Sequence, residues 1–289
     1  MKILLAEHLG MCFGVKDAIA MATETARRAP LTILGHLVHN ETVLASLRAQ
    51  GIQFAHQAAE VVTPTAMITA HGASERALAE TRMRGLQVLE ATCPLVRSAH
   101  RQLTLLVREG FHPLIIGQRD HVEVRGLTED LVEFDVILHE TDLLQLQERP
   151  SFGIVAQTTQ PIERVQELVQ CVREHFPAAI VRFVDTVCQP TKQRQRAAVD
   201  LSKCCTVVVV IGGTRSNNTQ ELVKTCSQFC RRVHHVQTAD DLHVEWFCET
   251  DTVGITAGTS TPDELIERVA AWFNVRFSTE TKTEPHQTW

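Results

Sequence analysis

Nowhere does the 289-residue chain approach the roughly 18 uninterrupted apolar residues that a membrane-spanning helix requires; its longest candidate, Thr206–Ile211, has the length of a buried strand. No run of like charges exceeds a few residues and the formal net charge is −6, so sequence-independent grip on nucleic-acid phosphates is not expected. A Walker-type GxxxxGK[ST] loop is absent, which removes the commonest nucleotide-phosphate cradle. Neither a signal nor a transit peptide precedes the first strand, MKILLAE, and a cytoplasmic location is the resulting expectation. The nine cysteines are odd in number and fit no obvious disulfide framework. In a reducing compartment they read instead as core fillers, metal ligands or redox groups.

What is present is an ordinary globular composition, 44% hydrophobic and 21% charged, in a chain long enough for one or two domains or three small ones. Apolar runs of strand length alternate with helical periods, the pattern of parallel α/β folding. Strands are expected at 31–34, 66–69, 86–89, 113–116, 134–138, 152–156, 180–184, 206–211 and 252–256, with amphipathic stretches between them. Three cysteines stand where an expected strand gives way to a helix: Cys12 in GMCFGV, Cys93 in EATCPLV and Cys188 in DTVCQPT. Their comparable intervals suggest one feature used three times.

The intervening loops repeat as well. A first unit offers His39, His71 and Cys93; a second offers His121, Thr158 and Cys188; a third offers Ser216 and Ser260 but no cysteine. The opening strand followed by Cys12 supplies the missing piece, so the amino terminus is expected to close the third unit. The units are drawn at 13–93, 94–186 and 187–277 with 1–12, leaving 278–289 as a polar, mobile tail. Ligands of open α/β sheets collect outside the carboxyl ends of the strands. Three inward-facing rims would enclose one site.

Three thiolates leave three readings open. An iron–sulfur cluster tolerates scattered ligands. Structural zinc prefers CxxC-type pairs and a fourth ligand. Coincidental core cysteines are the bland option, and packing is the preferred reading for Cys226 and Cys230, which share a helical face. His39, His71, His121, Thr158, Ser216, Asn217, Asn218 and Ser260 all follow expected strands, and several open helices whose N–H groups suit phosphate oxygens. Any one of them alone is an ordinary cap or surface histidine; together they suggest a phosphate or diphosphate cradle. In His121-Val122-Glu123 an extended backbone would aim residues 121 and 123 the same way, and an enclosed Glu123 would have its pKa raised and could hold a proton to donate.

The segments GMCFGV, VHN, HGAS, ATCPLV, HVE, QTT, DTVC with Thr191 and Arg194-Gln195, GGTRSNNT and ITAGTSTP occur in one order over residues 1 to about 275. In that order they resemble the 4-hydroxy-3-methylbut-2-enyl diphosphate reductase (IspH/LytB) family. The resemblance implies three pseudo-threefold α/β units around a [4Fe–4S] cluster held by Cys12, Cys93 and Cys188. It implies a pocket lined by His39, His71 and His121, with Ser216, Asn218 and Ser260 on the diphosphate; Asn217, standing where the family usually has serine, can still donate to phosphate. It implies Glu123, with His121 and Thr158, at the proton-delivery step, and a ferredoxin or flavodoxin as electron donor. The chain departs from the family's usual pattern at Val122, Asn217, Thr259 and Gln189-Pro190, which alters the lining but no expected ligand or proton donor. Alternative readings are a paralogue reducing another hydroxylated allylic diphosphate, and a cluster-bearing redox sensor without turnover.

Overall fold

The computed structural model describes residues 1–277 and 280–281. The chain opens on β1 (Lys2–Leu5) and α1 (Phe13–Ala26), then runs through β2 (Leu31–Leu34), α2 (Glu41–Ala49), β3 (Gln53–Ala55), β4 (Thr65–Ile68), α3 (Glu75–Met83) and β5 (Gln87–Glu90). A second passage comprises α4 (Pro94–Arg108), β6 (His112–Ile116), α5 (Val122–Thr128), β7 (Asp135–Ile137), β8 (Ser151–Ala156), α6 (Ile162–His175) and β9 (Ile180–Phe183). The third comprises α7 (Gln189–Cys204), β10 (Val207–Ile211), α8 (Asn217–Phe229), β11 (Val233–Val236), β12 (Thr252–Ala257), α9 (Asp263–Arg276) and β13 (Glu280–Thr281).

These strands form three wholly parallel sheets of one topology. Two have four strands, ordered β3-β2-β4-β5 and β7-β6-β8-β9; the third has five, ordered β11-β10-β12-β1-β13. β1 therefore fills the place in the third sheet that β5 and β9 fill in the others, in register with β12 from Lys2–Thr252 to Leu5–Ile255. This is the closure by the amino terminus that the loop pattern suggested. Two compact bodies result. One contains Met1–Cys12, His39–Val43 and the described residues from Gln189 on, with the five-stranded sheet; the other contains Phe13–Val38 and Leu44–Cys188, with both four-stranded sheets.

The central strands are buried on both faces, so they read as continuous apolar runs rather than alternating ones. All five residues of β10, VVVVI, are fully buried. In the larger body Phe152 on β8 is buried to 0% and packs beside Phe176, their ring centroids 5.0 Å apart; truncating such a ring to alanine costs about 3–5 kcal/mol. Cys226 and Cys230 join the apolar cluster around β10, as their packing reading required, while Cys204 and Cys248 are exposed.

Two edge strands, β3 and β11, and two helices, α2 and α5, escaped the sequence reading. β3 has three residues and one buried side chain, and β11 carries His234 and His235 in its middle, so neither offers an apolar run. Of the segment expected as a tail, Glu280–Thr281 pairs in parallel with β1; the rest, Trp289 included, lies outside the described residues. No helix among the described residues is long and apolar enough to cross a membrane.

Candidate active site

Each repeat terminates its strands in the same way. The first strand of each ends in a glycine whose N–H donates to the end of the edge strand: Gly35 to Ala55 at 2.7 Å, Gly117 to Ile137 at 2.9 Å and Gly212 to Val236 at 2.9 Å. Two residues past the third strand, a backbone carbonyl accepts the cysteine N–H: Ala70 from Cys93, Thr158 from Cys188 and Thr259 from Cys12, each at 3.0 Å. Every candidate thiol thus hangs at the carboxyl edge of its own sheet, directly before α1, α4 or α7. All three are half-buried and no cysteine is in a disulfide. A β-carbon at Gly14 would stand 2.6 Å from the Cys93 Sγ, so only glycine leaves that sulfur its room.

In the larger body the candidates converge on Glu123, which is 1% exposed. Its Oε1 accepts the Thr158 N–H at 2.6 Å, and its Oε2 lies 3.0 Å from the Thr158 Oγ1. Burial lifts the carboxyl pKa to about 7, and the two bonds from Thr158 only partly oppose that rise. The approach loops are clamped by Gln157, whose Oε1 accepts the Gln118 N–H at 3.0 Å and a bond from Gln160 at 3.1 Å. The Gln157 side chain also closes against Gly117, where a β-carbon would come within 2.8 Å. The His71 and His121 rings meet edge to face at 5.6 Å.

The extended path stops at His121, and Val122 and Glu123 open a helix instead. His121 caps α5, its Nδ1 accepting the Glu123 N–H at 3.2 Å, and Glu123 lies in the helix's first turn. An accepting imidazole nitrogen satisfies an amide that the helix start leaves without an intrahelical partner, and this competes successfully with an extended path. Val122 takes the first helical position, where proline is also well tolerated. Valine there preserves the course of the chain.

In the other body Ser216 caps α8, its Oγ accepting the Thr219 N–H at 3.3 Å, and places Asn217 and Asn218 in the first turn. The Asn218 Oδ1 accepts the Thr259 N–H at 2.9 Å, which fixes the amide with its Nδ2 as the remaining donor. That Nδ2 and the Ser260 Oγ are buried with no partner among the described residues. Thr259 thereby links the candidates, since its N–H holds Asn218 and its carbonyl holds Cys12. His39 is seated by close backbone approach: a β-carbon at Gly213 would stand 1.9 Å from the His39 carbonyl oxygen. Sequence reasoning noted Thr259 as a departure and passed over Gln157, yet both follow from superimposing the repeats. Thr259 occupies the position of Ala70 and Thr158, and Gln157 precedes it as Thr69 and Gly258 do.

A family model described as LytB protein matches residues 3–274. A 4-hydroxy-3-methylbut-2-enyl diphosphate reductase of Trichlorobacter lovleyi is 35% identical over 272 residues, covering 93% of this chain and 96% of its own. That of Geobacter metallireducens is 34% identical over 276 residues, with 93% and 97% covered. Among solved structures, one of (E)-4-hydroxy-3-methyl-but-2-enyl diphosphate reductase superimposes with a TM-score of 0.69 at 32% identity, covering 95% of this chain and 99% of its own. The Plasmodium falciparum reductase shares the fold with a TM-score of 0.87 at 24% identity, 98% and 93% covered. Repeated strand-end cysteines, a buried glutamate and a matched length of nearly the whole chain place this protein in the LytB family of diphosphate reductases.

Proposed function

We propose that the chain reduces 4-hydroxy-3-methylbut-2-enyl diphosphate, replacing the allylic hydroxyl by hydrogen: ROH plus two electrons and two protons gives RH and water. The products would be isopentenyl and dimethylallyl diphosphate. The observation that carries this reading is Glu123, a buried carboxyl with a pKa of about 7 in the grip of Thr158. Hydroxide is a poor leaving group, and an acid that keeps its proton at neutral pH turns it into water.

The donor set at Cys12, Cys93 and Cys188 suits a [4Fe–4S] cluster: three half-buried thiols, none in a disulfide, each held by the same backbone bond at its strand end. When bound there, the cluster supplies electrons one at a time and Lewis acidity toward the substrate oxygen. The Glu123 carboxyl is held in a defined orientation. Thr158 donates to both carboxyl oxygens, its N–H to Oε1 and its Oγ1 to Oε2. Glu123 is assigned to proton delivery, with Thr158 orienting its carboxyl and His121 beside it.

Ser216, Asn217, Asn218 and Ser260 are assigned to the diphosphate, with His39, His71 and His121 completing the pocket lining. The unpartnered Asn218 Nδ2 and Ser260 Oγ support that assignment, because a buried donor is costly until it meets an acceptor. The repeated strand-end pattern supports units at 13–93, 94–186 and 187–277 closed by 1–12. The electron donor is assigned as a ferredoxin or flavodoxin and the compartment as the cytoplasm, in line with nine unbridged cysteines.

The test is anaerobic turnover of the substrate with a low-potential chemical reductant, after the iron content and cluster absorbance have been measured. Formation of both five-carbon diphosphates is the expected result. An intact cluster with no turnover would overturn the substrate assignment.

A further inference from the structure

We infer that the exposed amino-terminal turns of α1 and α4 form the docking face for an acidic electron-carrying protein that delivers electrons toward Cys93. The inference rests on the reading of Cys93 as a cluster ligand. Each turnover consumes two electrons that the substrate does not carry, so a reduced carrier must dock, give up one electron and leave oxidised, twice per water released.

Four observations in the larger body mark this face. The backbone of α1 reaches the Cys93 sulfur at Gly14, where even a β-carbon would stand 2.6 Å away, so the sulfur lies directly beneath the first turn of α1. Phe13, beside that contact, is 45% exposed, and large exposed aromatics are the anchors on which partner proteins seat. Lys16 on α1 and Arg97 and Arg101 on α4 are exposed. Neither helix has an acidic residue in its first turn. Acidic groups close to these residues include Asp17, exposed next to Lys16, and Glu90, whose carboxylate is held by Arg82 at 2.6 Å and whose carbonyl accepts from Arg97 at 3.4 Å. The chain as a whole is negative, at −6, so a local cationic patch is what would draw an acidic carrier to this face rather than another. Lys192 follows Cys188 at the same offset as Lys16 follows Cys12 and Arg97 follows Cys93.

The test is the affinity of an oxidised, acidic two-iron ferredoxin for the holoenzyme across a series of salt concentrations, with an acidic flavodoxin as a second probe. Binding that weakens with salt is expected. The double variant Arg97→Glu/Arg101→Glu should raise Kd at least tenfold and flatten the salt dependence, while Arg97→Lys/Arg101→Lys should not. Both variants should keep turnover driven by reduced methyl viologen. An unchanged Kd and salt slope in the charge-reversed variant, or no binding of either carrier to the parent protein, would overturn the proposal. Loss of viologen-driven turnover in the parent protein would instead count against the functional reading and leave the binding measurement standing.

Discussion

The Glu123 region and the Asn218–Ser260 region are both buried and polar, yet their hydrogen bonding differs. Both oxygens of Glu123 are engaged, by the Thr158 amide and hydroxyl, and the approach loops are locked by Gln157. At the other site one side of the Asn218 amide is engaged while its Nδ2 and the Ser260 Oγ have no partner among the described residues. A satisfied network fixes the orientation of the carboxyl. Unsatisfied donors remain available to an acceptor brought by a ligand.

The largest expected effect lies outside both regions and would leave nothing to compare. Serine at position 12, 93 or 188 should abolish stable iron binding and turnover, read by iron content and visible absorbance. Iron retained in any one variant would remove that residue from the ligand set. Glu123→Gln comes next. It keeps the shape and the Thr158 N–H bond but holds no acidic proton, so kcat should fall about 100-fold or more with iron content and KM little changed. Full activity in that variant would end the distinction between the two regions.

Asn218→Ala and Ser260→Ala should act in the opposite sense, raising KM about 10- to 100-fold each for roughly 1–3 kcal/mol of lost binding, with a smaller effect on kcat. Ser260→Ala should leave the unliganded protein as stable as before, because its hydroxyl has no partner to lose. A large loss of unliganded stability would show that the hydroxyl is structural.

The pH dependence of stability sharpens the comparison further. The Glu123 pKa is raised from 4.5 to about 7 in the folded protein. Below the unfolded value both states carry the proton and the native state is at its most stable with respect to this group. As pH rises toward the folded value the unfolded chain releases its proton first, and stability falls by up to about 3 kcal/mol before levelling off. Glu123→Gln should erase that slope in denaturant unfolding, while Ser260→Ala should leave it intact. The smallest effect belongs to Val122→Pro, expected to change stability by less than about 0.5 kcal/mol and to spare activity, since residue 122 is the first of α5.

Much of this was legible in the residues themselves. Continuous apolar runs such as VVVVI marked central parallel strands, and Pro94 after Cys93 marked the start of α4. The alternating pattern and the absent third cysteine were enough to bring β1 into the last sheet. Less visible were strands whose partners, rather than their own residues, make them strands, as with Gln53–Ala55 and Val233–Val236 at the sheet edges. Glu123 was legible as a candidate, but the helical turn that presents it was not, because a histidine cap is a rarer helix signal than Ser, Thr, Asp or Asn.

The sequence alone determined the parallel α/β class, the threefold repetition and the chemical types available: three thiols, a carboxyl and a set of neutral donors. These are properties of local pattern and composition, which periodicity and spacing carry. Only the tertiary structure decided that Glu123 would meet Thr158, that Asn218 would spend its oxygen on Thr259, and that Cys93 would lie beneath Gly14. Each of those depends on contact between segments distant in the chain. Burial sets the Glu123 proton at neutral pH, and burial is a property of the assembled fold rather than of the glutamate.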